Sequence, residues 1–155
     1  MRDAGRASRP AITILGFDFG LRRIGIAAGD SVTTSAAPRR AVAMRDDGPD
    51  WAAIAHEVEM LRPAVLVVGV PYNEDGTPGR LTVPARRFGA TLAQRFGLPV
   101  EYVDEHGSSL EASAALKRMR AAGQRRRRVG RDDIDSVAAA VILKRWLAGE
   151  GDSNR

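Results

Sequence analysis

Three acidic positions fall where a folded chain would bury a strand or a helix. Asp18 lies in "ILGFDFGLRRIGIA" between Phe17 and Phe19, in an apolar run punctuated by glycine. Asp104 and Glu105 follow "PVEYV", and Asp135 precedes the apolar run Val137 to Leu143. An unpaired carboxylate in such surroundings costs several kcal/mol or is forced to protonate, so each needs compensation. If the three converge, two carboxylates about 4 Å apart repel by roughly 4 kcal/mol at an effective dielectric near 20, and the cluster calls for a cation. The donors would all be oxygens, because the chain has no cysteine and its histidines are only His56 and His106. That set selects Mg²⁺ or Mn²⁺ over zinc. Carboxylates holding hard divalent ions suit phosphodiester hydrolysis, in which one ion activates water and another stabilises the leaving oxygen.

Plainer roles remain open for each acid. Asp18 has Arg22 and Arg23 close in sequence as salt-bridge partners. Asp104 and Glu105 could form a surface turn, and alternation along the strand puts Glu105 on one face with Glu101 and Val103, leaving Asp104 with Tyr102. Asp135 complements a helix dipole, with Asp132 or Asp133 as N-cap. Asp135 nevertheless extends a helical stripe through Ala139, Ile142 and Trp146, which points it towards the body of the fold.

A polyanionic substrate also fits the charge pattern. The segment "KRMRAAGQRRRRVGR", Lys117 to Arg131, carries eight basic residues and no acid, while the rest of the chain is net −3. Such a concentrated positive run on a mildly acidic body is the footprint of a nucleic-acid binder, although a solvated surface loop gives the same composition.

These residues need a scaffold. "AITILGFDF" is apolar at both alternating sets of positions, the pattern of a central strand covered on both faces. "RRIGIAAGD" and "RRAVAM" read as two further strands of an antiparallel meander, joined by polar and proline-containing segments. Asp50 is placed to cap a helix over "WAAIAHEVEMLR". "PAVLVVGVP" reads as a buried strand, "YNEDGTPGR" as a loop, and a helix is expected over about Val83 to Phe96. "LPVEYVDEH" is the fifth strand, "SSLEASAALKRMRAAG" a serine-capped helix, and "DDIDSVAAAVILKRWLAG" the last helix. Arg125 to Arg131 is expected to be the mobile loop. The expected layout is a basic, disordered tail over 1–10, one α/β domain over 11–148 and a flexible tail over 149–155. Cysteine-free composition fits a reducing compartment, and no apolar run is long enough to cross a bilayer, so a cytoplasmic protein with no membrane partner is expected.

Four strings carry a family resemblance. "GFDFGLRRIGIA", "VVGVPYNEDGT", "VDEHGSSLEA" and "DIDSVAAAVIL" occur in the order and spacing of the RuvX/YqgF family, and the chain resembles it from about Ile12 to Leu147. The resemblance implies a ribonuclease H-like α/β fold with a mixed five-stranded sheet, a three-stranded antiparallel meander plus two parallel strands, flanked by helices. It implies a metal-dependent nuclease, described for the family both as a candidate Holliday junction resolvase and as a nuclease maturing the 5′ end of pre-16S ribosomal RNA. Position by position, the family's catalytic, metal-binding acids fall on Asp18, Glu105 and Asp135. Asn73 would line the cleft, Arg22 and Arg23 could contact phosphate, and Ser108 joins Arg125, Arg126, Arg127 and Arg128 as candidate substrate contacts. Asn73 is explained equally well as a turn former before Asp75-Gly76.

The chain departs from the family pattern at Asp104-Glu105-His106-Gly107-Ser108, where arginine and leucine usually occupy the positions of His106 and Gly107. Histidine cannot reproduce the guanidinium fork, and glycine loosens a helix entry. Two other readings compete. An actin-like ATPase opens with a similar strand, aspartate and glycine turn, but needs two lobes and a second phosphate loop. A non-catalytic RNA-binding or ribosome-assembly factor would use the arginine segment alone. The expected partner is pre-rRNA or branched DNA, with ribosomal precursor particles as a further partner, and the assembly is a monomer or a homodimer.

Overall fold

The computed structural model describes residues 11–104 and 134–149 in full and the backbone of 131–133. The chain runs through strands β1 (Thr13–Phe19), β2 (Arg23–Asp30), β3 (Ser35–Arg45) and β4 (Gly48–Pro49), then helix α1 (Trp51–Leu61) and β5 (Val65–Val70). Helix α2 (Thr82–Phe96), β6 (Val100–Asp104) and helix α3 (Arg131–Leu147) follow. The expected tails (except Gly149), the serine-capped helix, Glu105, His106, Gly107, Ser108 and Arg125 to Arg128 lie outside the described residues.

The strands form one sheet in the order β4-β3-β2-β1-β5-β6. β1 pairs antiparallel with β2 and parallel with β5, and β5 pairs parallel with β6. Among the described residues the sheet has six strands where five were expected. The sixth is the two-residue β4, which turns back on Met44 and Arg45 and is too short to carry an apolar pattern. β3 is also longer than "RRAVAM", reaching back to Ser35 through Pro38. Proline lacks a ladder donor, and the strand accommodates it where the register shifts, with Ile26 opposite Arg40 but Ala27 opposite Pro38.

Local chemistry sets the helix ends. Asp50 caps α1 as expected, its carboxylate accepting from the Ala53 N–H at 3.2 Å. Gly97, in the left-handed region at φ 65°, ends α2 with its N–H on the Ala93 carbonyl. Helix α3 already includes Arg131, so Asp132 and Asp133 lie within it rather than preceding it, and Arg131 is not part of a loop.

The two faces of the sheet differ in kind. Leu15, Phe17, Phe19, Ile24, Ile26, Leu66 and Val68 pack with Ile54 of α1 and Ala85, Phe88 and Leu92 of α2. Phe88 sits among Phe17, Phe19 and Trp51, with ring centroids 5.4 to 5.6 Å away. The opposite face carries Ile14, Ala27, Val67 and Val103 under Ala139, Ala140, Ile142 and Leu143 of α3. There Gly16 of β1 and Gly25, Ala27 and Gly29 of β2 are small. A Cβ on Gly16 would fall under 3.0 Å from Leu143 Cγ, and one on Gly25 equally close to the Asp135 carbonyl oxygen. Both glycines let α3 lie against the backbone of the sheet. The one buried charge of α1, Glu57, is paired with Arg39 Nε at 2.9 Å.

Candidate active site

β1, β5 and β6 run parallel and end at one edge of the sheet. Open α/β sheets place their chemistry at the carboxyl ends of such strands. Asp18 is the penultimate residue of β1, opposite Gly25 on β2 and beside Gly69 on β5. Strand alternation turns its side chain away from the Phe17 and Phe19 cluster and onto the face covered by α3.

Asp135 reaches the same place from the far end of the chain. Opposed residues of an antiparallel pair point to one face with Cβ positions about 4.5–5.5 Å apart, so the space next to Asp18 is where a Gly25 side chain would begin. The Asp135 backbone fills that space. Sequence spacing alone left the convergence of Asp18 and Asp135 open; Gly25 is the residue that lets the Asp135 backbone lie against the strand position opposite Asp18. The signal was present in the sequence, since Gly25, Ala27 and Gly29 alternate with Ile24 and Ile26. Such a one-sided stripe of small residues marks a close backbone approach.

Arg23 shares the Gly25 face of β2. Its Nε donates to Asp135 Oδ2 at 2.8 Å, with both side chains about a quarter exposed. Arg23 thus forms an ion pair with Asp135. Arg22 is exposed in the turn from β1 to β2, and its carbonyl accepts from the Met44 N–H.

The β6 edge shows the expected alternation. Val103 packs under α3, while Tyr102 packs on the α1 and α2 face. Glu101, on the Val103 face, accepts from the Trp146 indole at 3.1 Å. Asp104 is exposed, and its carbonyl accepts from Arg145 Nη1 at 3.1 Å. Arg145 was not among the expected site residues; nothing in "ILKRWLAG" distinguishes it from a solvated basic residue.

Asn73 organises its own loop. Its amide nitrogen donates to Thr77 Oγ1 and the Pro78 carbonyl, at 3.0 and 3.2 Å, and its backbone carbonyl accepts from Gly76. The loop is further tied by Asp75, whose carboxyl is held below its usual range by hydrogen bonds from the Thr77 hydroxyl and N–H. The turn-forming role accounts for every contact of Asn73 described here.

Asp18 and Asp135 supply hard oxygen donors on a face with glycine beside them, and Asp135 already accepts a positive group there. The pair fits a divalent cation better than a soft metal. Among the described residues no group of three or more His, Cys, Asp or Glu is close enough to hold an ion, and Glu105 lies outside them.

Comparison with known proteins agrees with this architecture. The family model of RuvX, described as Holliday junction resolvase, matches residues 12–149. The chain belongs to the RuvX family. A Nitrosococcus oceani protein is 44% identical over 145 residues, spanning 94% of this chain and 91% of its own. One from Xanthomonas campestris is 43% identical over 148 residues, spanning 96% and 94%. The names of both mark them as candidate pre-16S rRNA nucleases. In fold, this RuvX-family chain is similar to Thermus thermophilus RuvC, solved alone and in complex with a Holliday junction substrate. The TM-score is 0.54 in each case at 16% identity, and the complex covers 89% of this chain and 94% of that one. The ribonuclease H-like α/β fold expected from the sequence is therefore the observed one, with one more short strand.

Proposed function

We propose that this RuvX-family nuclease hydrolyses phosphodiester bonds in the 5′-end maturation of pre-16S rRNA, using Mg²⁺ or Mn²⁺ held by Asp18, Glu105 and Asp135. The observation that carries the reading is the approach of Asp135 to Asp18 across Gly25. Helix α3 lays the Asp135 backbone against Gly25, the strand position opposite Asp18, which supports bringing two acids from opposite ends of the chain together at this edge of the sheet. Bound there, divalent ions would activate water and stabilise the leaving oxygen.

The chain's own residues supply position and charge. Asp18 is fixed by strand pairing on both sides, and Asp135 by the seating of α3 on Gly16 and Gly25. Arg22, Arg23 and Ser108, with Arg125 to Arg128, would hold the phosphate backbone, and Asn73 would shape the loop beside the site. The RNA substrate is inferred from the names of relatives above 40% identity. The description of the family model favours a second reading, cleavage of four-way DNA junctions. Ribosomal precursor particles would be the physiological partners for the first, and a two-fold dimer the assembly needed for the second. Among the described residues no helix is long and apolar enough to cross a membrane.

Purified protein should be assayed with Mg²⁺ and with Mn²⁺ on precursor 16S rRNA and on a four-way junction. Metal-dependent cleavage of the RNA supports the proposal. Cleavage of the junction alone moves the substrate to DNA. Binding without cleavage of either would make the protein a non-catalytic assembly factor.

A further inference from the structure

The Arg23–Asp135 ion pair sits inside the proposed metal site, and it sets two cations against one carboxylate. Arg23 lies on β2 two residues before Gly25, so its side chain shares the face on which Asp135 and Asp18 meet. Its Nε donates to Asp135 Oδ2 at 2.8 Å, a charge-assisted contact of ordinary strong geometry. The partners are 27% and 26% exposed, so water screens the pair only in part. A divalent ion needs electron pairs from the same carboxylate. Even on the other oxygen of Asp135, the ion would stand close to a guanidinium that never deprotonates.

We infer that Arg23 is a built-in counter-cation which neutralises Asp135 in the metal-free protein and competes with the divalent ion for it. The inference rests on the metal reading proposed above. The arginine keeps the acidic site folded and compensated before an ion arrives, and the cost of displacing it weakens metal affinity. A purely structural arginine would act in the opposite direction. If Arg23 only oriented Asp135 for the metal, its removal would weaken ion binding.

Mn²⁺ titration of the full chain, followed by the electron paramagnetic resonance signal of the free ion, separates these cases without an activity assay. Arg23→Gln is expected to bind Mn²⁺ about fivefold to tenfold more tightly than wild type, because a positive charge is removed from the ion's surroundings. Arg23→Lys, which keeps the charge, should stay within about twofold of wild type and serves if the glutamine variant does not fold. In an Asp135→Asn background, Arg23→Gln should increase affinity by a smaller factor than in the wild-type background, since the direct competition for the shared carboxylate is gone while the charge repulsion remains. Wild-type binding with unchanged or weaker binding by Arg23→Gln overturns the competition and leaves the metal site standing. With the glutamine variant unfolded, a lysine variant whose affinity departs from wild type by more than about fivefold overturns it too. Failure of wild type and both variants to bind Mn²⁺ overturns the metal site and the competition together.

Discussion

The carbonyl oxygen of Asp135 lies where a side chain on Gly25 would begin. One missing methyl group thus sets the distance between the last helix and the strand that faces Asp18.

Gly25→Ala should therefore damage the site more than the fold. The obstacle at Gly25 is the backbone of Asp135 itself, whereas at Gly16 it is the buried Leu143 side chain, further along the helix from Asp135. Overpacking of this kind costs about 1–3 kcal/mol in either variant. Cleavage by Gly25→Ala should fall at least about tenfold below that of Gly16→Ala at matched stability, equivalent to roughly 1.4 kcal/mol in the barrier. Melting curves and initial rates on both variants check this; equal activities would deny Gly25 its spacing role.

Asp18→Asn keeps the shape and removes the charge. Loss of several kcal/mol of metal assistance should lower cleavage by about a thousandfold. Affinity for uncleaved nucleic acid should hold or rise, because a negative charge leaves a phosphate site. Filter binding beside the cleavage assay tests both halves, and weakened binding would count against a catalytic Asp18.

Asp50 gives a pH signature in stability. Its carboxyl is held below the usual range by the Arg45 guanidinium and by the Ala53 N–H it caps. A folded pKa below the unfolded one contributes stability above the unfolded value, about 4, that disappears as pH falls through the folded value. Asp50→Ala should melt below wild type at pH 7, and the gap should close on acidification below about pH 4. A gap independent of pH would mean that the carboxylate's charge is irrelevant to the cap.

The basic run can be tested without knowing its conformation. Replacing Arg125 to Arg128 by glutamine should flatten the logarithmic salt dependence of nucleic-acid binding by roughly 0.7–0.9 per lost phosphate contact. An unaltered slope would assign those arginines to solvent.

Much of the fold was legible in continuous apolar runs and in the residues that bound or cap them. The doubly apolar β1, the proline-bounded β5 and the Asp50 cap all stand where the sequence placed them. β4 and the first half of β3 were not legible, because two residues carry no periodicity and Pro38 in "SAAPRR" signals a break rather than a strand. Proximity in sequence also could not reveal every charge pair. Arg23 pairs with Asp135, 112 residues away, an outcome decided by where α3 lands. The third acid, Glu105, lies outside the described residues, so its place in the site rests on the family resemblance and on the alternation that puts Val103 on the α3 face.

The contrast between the two faces of the sheet also divides the consequences of mutation. The side built from phenylalanine, leucine and isoleucine has interchangeable bulk, so moderate substitutions there should surface as shifts in melting temperature with turnover per folded molecule preserved. On the α3 side, the contact between Gly25 and the Asp135 backbone has no slack, and substitutions at that contact should surface as folded protein that works poorly. A mutational screen read by abundance would find the first face, and one read by activity per molecule would find the second.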